Sequence, residues 1–401
     1  MKSGFFADLA LVPDRKTRSK NSKCGVCGLY KTCHSPKMKP TGQGGRSILV
    51  VAEAPGATED ETGVQLVGDA GRLLRDVLGA LHVDLDDDCW KTNVIICRPP
   101  GNATPTTLQI DACLPNLIRT IKELQPSTII SLGTTALRAI LMDHEITSPV
   151  NMTTWVGWQI PSLKYNAWIC PNWHPSYLLR ENNSVLDLWF KRYLRKAVSI
   201  QGEPWEDGIP DYHKMVRVEL DIDKAVEHIK TVYQSGKPFA FDYETDRLKP
   251  DAAGSRIVCC SICNSSKLSV SFPWHGKAIK AMRKLLLSDV GKIAANLKME
   301  DRWTRKEFGE GVRNWVWDTM QAAHVLDNRR GITGLKFQSF IRFGVADYSS
   351  HLDRYLKTSS NGNTPNQITQ IPLTDLLLYN GLDSLFTYKL AKIQRDEINV
   401  R

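Results

Sequence analysis

Apolar positions along this chain fall into two spacings that alternate. Short apolar runs at 46–54, 94–96, 128–133 and 167–170 have the length and β-branched content of buried strands. Between them, residues 70–81 set Leu73, Leu74, Val77, Leu78 and Leu81 at helical spacing. Residues 108–124 and 134–142 also read as helices, the first ending near Pro126. Strands alternating with helices predict a parallel sheet with helices on both faces, with ligands taken at the loops beyond the carboxyl ends of the strands. A polar stretch at 201–210 predicts a linker. A second α/β pattern follows, with strands at 238–244, 256–263 and 267–272 and helices at about 278–288, 299–308, 318–326 and 373–393. Residues 358–366, Thr-Ser-Ser-Asn-Gly-Asn-Thr-Pro-Asn, read as a mobile loop. The expected organisation is a first domain at 1–200, a linker at 201–215 and a second domain at 216–401.

Length and composition agree with two domains. A chain of 401 residues can bury two full cores, and 42% hydrophobic with 24% charged residues is ordinary for a soluble globular protein. No apolar run of membrane-spanning length and no signal-peptide pattern is present, so the expectation is a cytoplasmic protein with no membrane partner. Ten cysteines in that setting point to a reducing compartment and to metal ligation, not to a disulfide scaffold. The net charge of +9 suits a polyanionic partner. The excess is spread over both halves, with a local concentration at Arg15, Lys16, Arg18, Lys20, Lys23, Lys31, Lys37 and Lys39, which form either a solvated basic arm or a phosphate contact.

Four of the cysteines have a specific arrangement. Cys24 and Cys27 form a C-x-x-C turn, Cys97 opens Cys-Arg-Pro-Pro-Gly-Asn, and Cys113 opens Cys-Leu-Pro 16 residues later. The turn alone fits a zinc knuckle or a redox pair; four thiolates can hold an iron–sulfur cluster. Cys89, Cys170, Cys259, Cys260 and Cys263 lie in apolar surroundings and read as core residues. Cys33, close to the turn, reads as a bystander or a competing ligand. The four cysteines are interleaved with Glu53-Ala54-Pro55-Gly56 and His174-Pro175-Ser176. This combination, over roughly 20–200, resembles the family-four uracil-DNA glycosylases. The resemblance implies a structural [4Fe–4S] cluster on Cys24, Cys27, Cys97 and Cys113, with zinc on the same residues as the alternative. It implies a pocket for a base flipped out of the DNA stack. There Asn93 reads uracil O4 and N3–H, His174 donates to uracil O2 as charge develops, and Glu53, Glu59 and Asn102 position water and stabilise the sugar cation. Two positions depart from the family. Leu66 stands where an aromatic ring usually stacks on uracil, a contact worth roughly 1–3 kcal/mol per base, so weaker uracil binding or another base is expected. Ala103 follows Asn102 where an arginine is usual, which removes a phosphate contact. Leu178 or Leu179 is placed either to wedge into the duplex or to pack at a helix start.

The second half carries Asp242-Tyr243-Glu244 at a strand end, and residues two apart in a strand face the same way. Asn296-Leu297-Lys298-Met299-Glu300-Asp301, then Asp318-Thr319-Met320, then Tyr379-Asn380-Gly381-Leu382-Asp383 follow in order; on a helix, Tyr379 and Asp383 share a face. This succession, over about 216–395, resembles the proofreading 3′–5′ exonuclease of family A DNA polymerases, an RNase H-like fold. The resemblance implies two Mg²⁺ or Mn²⁺ ions on Asp242, Glu244, Asp383 and a third acid, with Tyr379 orienting the attacking water. Counting from Asn296, the third acid falls on Glu300, with Asp301 in a shifted register as the alternative.

The sequence therefore predicts an α/β protein of two domains: a uracil-DNA glycosylase-like parallel-sheet α/β/α sandwich, then an RNase H-like exonuclease. The expected function is DNA repair or replication on uracil-containing DNA and 3′ ends, beside a separate DNA polymerase, in a bacteriophage setting. Two alternatives stand. In one, the first half only binds uracil or DNA and the exonuclease alone is catalytic; in the other, the whole chain is a non-catalytic polymerase subunit.

Overall fold

The structure, a computed structural model, describes residues 22–146, 150–346, 348–357 and 364–399. Arg15, Lys16, Arg18, Lys20 and positions 358–363 of the expected mobile loop lie outside the described residues. The described residues fall into two compact units: one takes residues up to 209 together with 341–346, the other 210–340 together with those from 348 on. Among the described residues no helix is long and apolar enough to cross a membrane.

In the first unit, β1 (Ile48–Ala52), β2 (Cys89–Asn93), β3 (Thr128–Leu132), β4 (Ile160–Ser162) and β5 (Ala167–Asn172) form a sheet in the order β2-β1-β3-β5-β4. Every neighbouring pair is parallel except β4–β5 at the edge. Its helices are α1 (Cys24–Cys27), α2 (Ala57–Thr62), α3 (Asp69–Gly79), α4 (Thr107–Leu124), α5 (Gly133–Asp143), α6 (Met152–Trp155), α7 (Pro175–Glu181) and α8 (Ser184–Val198). The central strand β1 is buried along its whole length, as a strand covered on both faces must be. Ile48, Val50 and Ala52 meet Leu74 and Val77 of α3 and Phe190 and Leu194 of α8 in one apolar cluster. α5 packs on β1, β3 and β5. One expectation shifts. The strand read at 94–96 lies instead at 89–93, a run that looks polar. Lys91 is only 1% exposed there, and its ammonium is neutralised by Asp86. Val94 and Ile95 follow the strand, their N–H groups donating to Ala52 O and Glu53 O at 3.0 Å. Asn93 is thus the last residue of β2.

In the second unit, β6 (Val216–Val218), β7 (Phe239–Thr245), β8 (Ile257–Ser265), β9 (Leu268–Pro273), β10 (Lys292–Ala294) and β11 (Trp315–Asp318) form a mixed sheet in the order β11-β10-β7-β8-β9-β6. β7, β8 and β9 run antiparallel to one another in succession, and the outer pairs are parallel. The helices are α9 (Ile222–Ser235), α10 (Lys277–Leu286), α11 (Leu297–Phe308), α12 (Thr319–Leu326), α13 (Leu335–Phe343), α14 (Ser350–Leu356) and α15 (Leu373–Asn399). Phe239, Phe241 and Tyr243 of β7 enter an apolar cluster with Ile229, Met282 and Trp303. α15 lies along β6, β7, β8 and β9. Its approach depends on Gly381, where a Cβ would come within 2.3 Å of Val216 Cγ1.

Candidate active sites

In the first unit the predicted residues collect at the carboxyl ends of neighbouring parallel strands. Glu53 follows β1, Asn93 ends β2, Gly133 opens α5 directly after β3, and His174 follows β5. Gly133 has φ +84°, and a Cβ there would stand 3.0 Å from His174 Cβ, so the close approach of the two loops requires glycine. The Glu53 carboxylate accepts from Thr135 Oγ1 on α5, which fixes it across the same gap. Asn93 is 2% exposed and Gln65 is fully buried. Asn93 Nδ2 donates to Gln65 Oε1, and Gln65 Nε2 donates to Lys39 O at 3.3 Å, while Asn93 Oδ1 has no hydrogen-bond partner.

His174 caps α7. Its Nδ1 accepts from Ser176 N at 3.2 Å and lies 2.7 Å from Ser176 Oγ. Burial, with Arg180 adding to it, holds the imidazole pKa down to about 4. The ring is therefore neutral at physiological pH, and with Nδ1 occupied as an acceptor the proton sits on Nε2. Glu59 has a different surrounding. Oε2 accepts from Gly56 N at 3.0 Å, and Oε1 accepts from Val67 N at 3.0 Å and Gly68 N at 2.8 Å. Its carboxylate fastens the 66–68 loop to the loop after β1. Leu66, at φ 54°, is 5% exposed and joins the apolar cluster of the sheet. Asn102 is exposed on the turn after Cys97, its Oδ1 accepting from Arg98 Nε at 2.8 Å. Leu178 is buried in the same cluster as Leu66, whereas Leu179 is 51% exposed.

The cysteines come from three segments. α1 carries Cys24 and Cys27 and packs on α4, which carries Cys113; Lys23 N donates to Ala112 O at 3.0 Å. Cys97, on the loop after β2, accepts from Lys37 N at 3.2 Å. Burial pushes the Cys97 thiol up to about 12, with Cys33 and Cys113 as further raising influences, and burial likewise raises Cys113, with Cys27 and Cys24 beside it. Cys33, expected as a bystander or a competing ligand, therefore stands against Cys97.

In the second unit, alternation along β7 sends Asp242 and Glu244 to the face opposite Phe241 and Tyr243. A carboxylate oxygen from each of Asp242, Glu244 and Asp383 lies within 4.8 Å of the others. Glu300 is 1% exposed, and its Oε2 has no partner. Burial raises Asp242, Glu244 and Glu300 well above the usual carboxylate range. Nearby negative charge raises them further: Asp383 acts on Asp242, Asp242 and Asp383 on Glu244, and Asp242 on Glu300. Asp301 is engaged elsewhere, accepting from Val312 N at 2.8 Å and Arg305 Nε at 2.6 Å. Asp318 accepts from Asn296 N and Leu297 N and caps α12 through Met320 N, a bracing role.

Several residues here were not singled out from sequence. Asn380 Nδ2 donates to Asp242 Oδ2 at 2.8 Å; Asn380 O accepts from Ser261 Oγ at 2.7 Å and its Oδ1 from Ser271 Oγ at 3.0 Å. Tyr348 OH donates to Asp383 Oδ1. Lys336 Nζ stands 3.8 Å from Asp383 Oδ1, 3.9 Å from the Tyr348 ring centre and 4.1 Å from that of Tyr379, with no hydrogen-bond acceptor. Asn380 had a signal, since it precedes Asp383 by three on one helix face. Gln65 lay within the segment around Leu66. Lys336 and Tyr348 lay outside every motif.

Comparison with known proteins matches the two halves of the chain separately. A family model for the uracil DNA glycosylase superfamily matches residues 40–198, and one for a 3′-5′ exonuclease matches residues 218–399. The type-4 uracil-DNA glycosylase of Thermotoga maritima is 33% identical over 180 residues, 44% of this chain and 88% of that protein. The type-4 uracil-DNA glycosylase of Pyrobaculum aerophilum is 42% identical over 118 residues, 29% of this chain; the match spans 59% of that protein. A DNA polymerase of Bacillus phage SP01 is 23% identical over 390 residues, 89% of this chain and 41% of that protein. Among solved structures, Brucella melitensis NrnC aligns with TM-score 0.32 at 18% identity, over 46% of this chain and 80% of that one.

Proposed function

The chain belongs, through its first half, to the type-4 uracil-DNA glycosylase family, and from that premise we propose that it excises uracil from DNA and digests DNA 3′ ends hydrolytically with its second half. The observation that carries the reading is the pair of sites in one chain: a buried amide with a free acceptor and a neutral imidazole, both at the carboxyl ends of strands of one sheet, in the first unit, and three converging carboxylates in the second.

In the first site, uracil leaves the stack and enters beside Asn93. Asn93 Oδ1 accepts from uracil N3–H, and the second hydrogen of Nδ2 faces O4. As the glycosidic bond breaks, its electron pair moves onto the base, and His174 Nε2–H donates to uracil O2. A neutral donor placed where charge develops is worth on the order of 10²–10³ in rate. Glu53, held by Thr135, faces the sugar cation and the incoming water. Asn102 assists from the exposed turn, and Leu179 fills the gap the base leaves. Glu59 acts by holding the loop that carries Gln65 and Leu66.

Cys24, Cys27, Cys97 and Cys113 hold a [4Fe–4S] cluster in this reading, and what it supplies is a crosslink between α1, α4 and the loop after β2. The donor set fits the group: four thiols from three segments, with Cys113 influenced by Cys24 and Cys27 and itself acting on Cys97. Protein purified without oxygen is expected to carry about four irons per chain; stoichiometric zinc without iron overturns this assignment.

In the second site, Asp242, Glu244, Glu300 and Asp383 hold two Mg²⁺ or Mn²⁺ ions, which supply stabilisation of the attacking and leaving oxygens. Asn380 keeps Asp242 aimed at the site, and Tyr379 orients the water. Lys336 offsets part of the carboxylate charge. The likeness to a phage polymerase across both halves supports a replication setting beside a polymerase, with the two activities tethered near one DNA end.

The test is single-turnover release of uracil from labelled single- and double-stranded DNA, with 3′-end digestion measured in the same preparation. Leu66, in place of a stacking ring, favours a second reading in which the first half only binds uracil. Absence of uracil release with enzyme in excess selects that reading.

A further inference from the structure

The hydrogen bonds behind Asn93 run in a fixed direction. Lys39 O is a backbone carbonyl and only accepts, so Gln65 must turn Nε2 toward it, at 3.3 Å. That leaves Gln65 Oε1 facing Asn93, and Asn93 must present Nδ2 to it. Asn93 Oδ1 is then turned away from the relay, buried and unpartnered. Rotating the Asn93 amide by half a turn would set Oδ1 against Gln65 Oε1. Relieving that clash by turning Gln65 would set Oε1 against Lys39 O. Either way two buried acceptors face each other without a proton, which disfavours the rotated state by roughly tenfold to a hundredfold.

We propose that Gln65 is a positioning residue for base selection: through its bond to Lys39 O it locks the Asn93 amide with Oδ1 toward the incoming base, so that the site takes a pyrimidine with N3–H and rejects one with a bare N3. Uracil carries N3–H beside the O4 acceptor. Cytosine carries an unprotonated N3 beside an amino group, the opposite order, and fits only the rotated amide. The relay does for specificity what an aromatic floor does not, because a ring stacks on either base with little preference. This inference rests on the uracil-excision reading of the first site.

The test uses the full-length chain and oligonucleotides bearing 2′-fluoro-2′-deoxyuridine or 2′-fluoro-2′-deoxycytidine, which resist cleavage, with binding measured for each. Wild type is expected to prefer the uracil probe. Gln65→Met conserves the side chain's length and removes both hydrogen bonds; the uracil-to-cytosine preference should fall about tenfold or more. A Gln65→Met protein that loses affinity for both probes in parallel, with the ratio unchanged, overturns the proposal and leaves Gln65 as a packing residue. Gln65→Ala gives the same readout if the methionine variant does not fold. The two readings fail differently: wild type that neither releases uracil nor prefers its probe removes the glycosylase assignment, whereas wild type that does both while the variants keep its ratio removes only the role of Gln65.

Discussion

The two candidate sites stand in opposite electrical states. In the first unit the groups around the base position are an amide pair and an imidazole that burial keeps uncharged, and Glu59 is spent on three backbone N–H groups. The Asn93 amide is matched at Nδ2 by Gln65 and left open at Oδ1. In the second unit three carboxylates converge, the buried Glu300 feels their charge, and the Lys336 ammonium stands against Asp383; burial makes ionisation of Asp242, Glu244 and Glu300 costly. The first site is left with an open acceptor; the second is left with concentrated acid. What a site lacks, in hydrogen bonds or in charge, indicates what it takes up.

The contrast can be broken most sharply by substitutions that silence one site alone. Asp242→Ala removes an acid at the centre of the second site. Digestion of a 3′-labelled oligonucleotide is expected to fall on the order of a thousandfold or more, with uracil release unchanged; digestion at the wild-type rate would put the nuclease site elsewhere. His174→Ala is the mirror experiment, expected to slow uracil release by roughly 10²–10³ with little change in DNA affinity and none in 3′ digestion.

The pH profile follows from the same neutral ring. With its pKa about 4, His174 donates as a neutral group at pH 8 and at pH 5 alike, so its contribution stays level over that range; only as pH falls through about 4 does protonation remove the bond that Nδ1 accepts from Ser176 N. A rate that rose on acidification through pH 6.5 would mean that the imidazolium is the working form.

Metal linkage sharpens the comparison further. The raised carboxyl pKa values mean that the folded second unit holds more protons than the unfolded chain. Stability from these groups is present below the ordinary carboxylate pKa of about 4 and is lost as pH rises toward their folded values. Mg²⁺ should therefore raise the melting temperature of the second unit more at pH 8 than at pH 5. At a hundredfold excess over its Kd the gain is about 2.7 kcal/mol. Equal gains at both pH values would argue that the acids do not hold the ion. Glu300 and Asp301 provide the finest cut. Glu300→Ala should impair digestion severely. Asp301→Ala should leave it largely intact while costing about 1–3 kcal/mol in a urea melt, through the lost bonds to Val312 N and Arg305; the reverse pattern would shift the register of the third acid.

The second site was the more legible of the two because its spacing obeys local periodicity. Period two put Asp242 and Glu244 on one face of β7, and helical spacing put Tyr379 near Asp383 on α15. Lys336 and Tyr348 join them only through the tertiary fold, and no local rule reports that. In the first unit, Glu53, Asn93 and His174 were placed at strand ends by the alternation of strand and helix. The strand bearing Asn93 was nonetheless displaced by several residues, because hydropathy reads Lys91 as a surface residue and does not see Asp86 neutralising it. Glu59 sits in its quoted motif, but spacing does not distinguish a carboxylate that meets a ligand from one consumed by backbone N–H groups.

Finally, the seam between α15 and the sheet has a consequence for how such an enzyme is inherited. Ser261 and Ser271 grip Asn380, Ser269 meets Ser384, and Asn380 in turn holds Asp242. The rotation of one helix thereby sets Tyr379, Asn380 and Asp383 together. A slip of one residue would turn all three by about 100° at once. Lineages that alter this seam are expected to lose nuclease activity in a single step, not by gradual decline, so descendants should be fully armed or wholly inert, with few intermediates to be found.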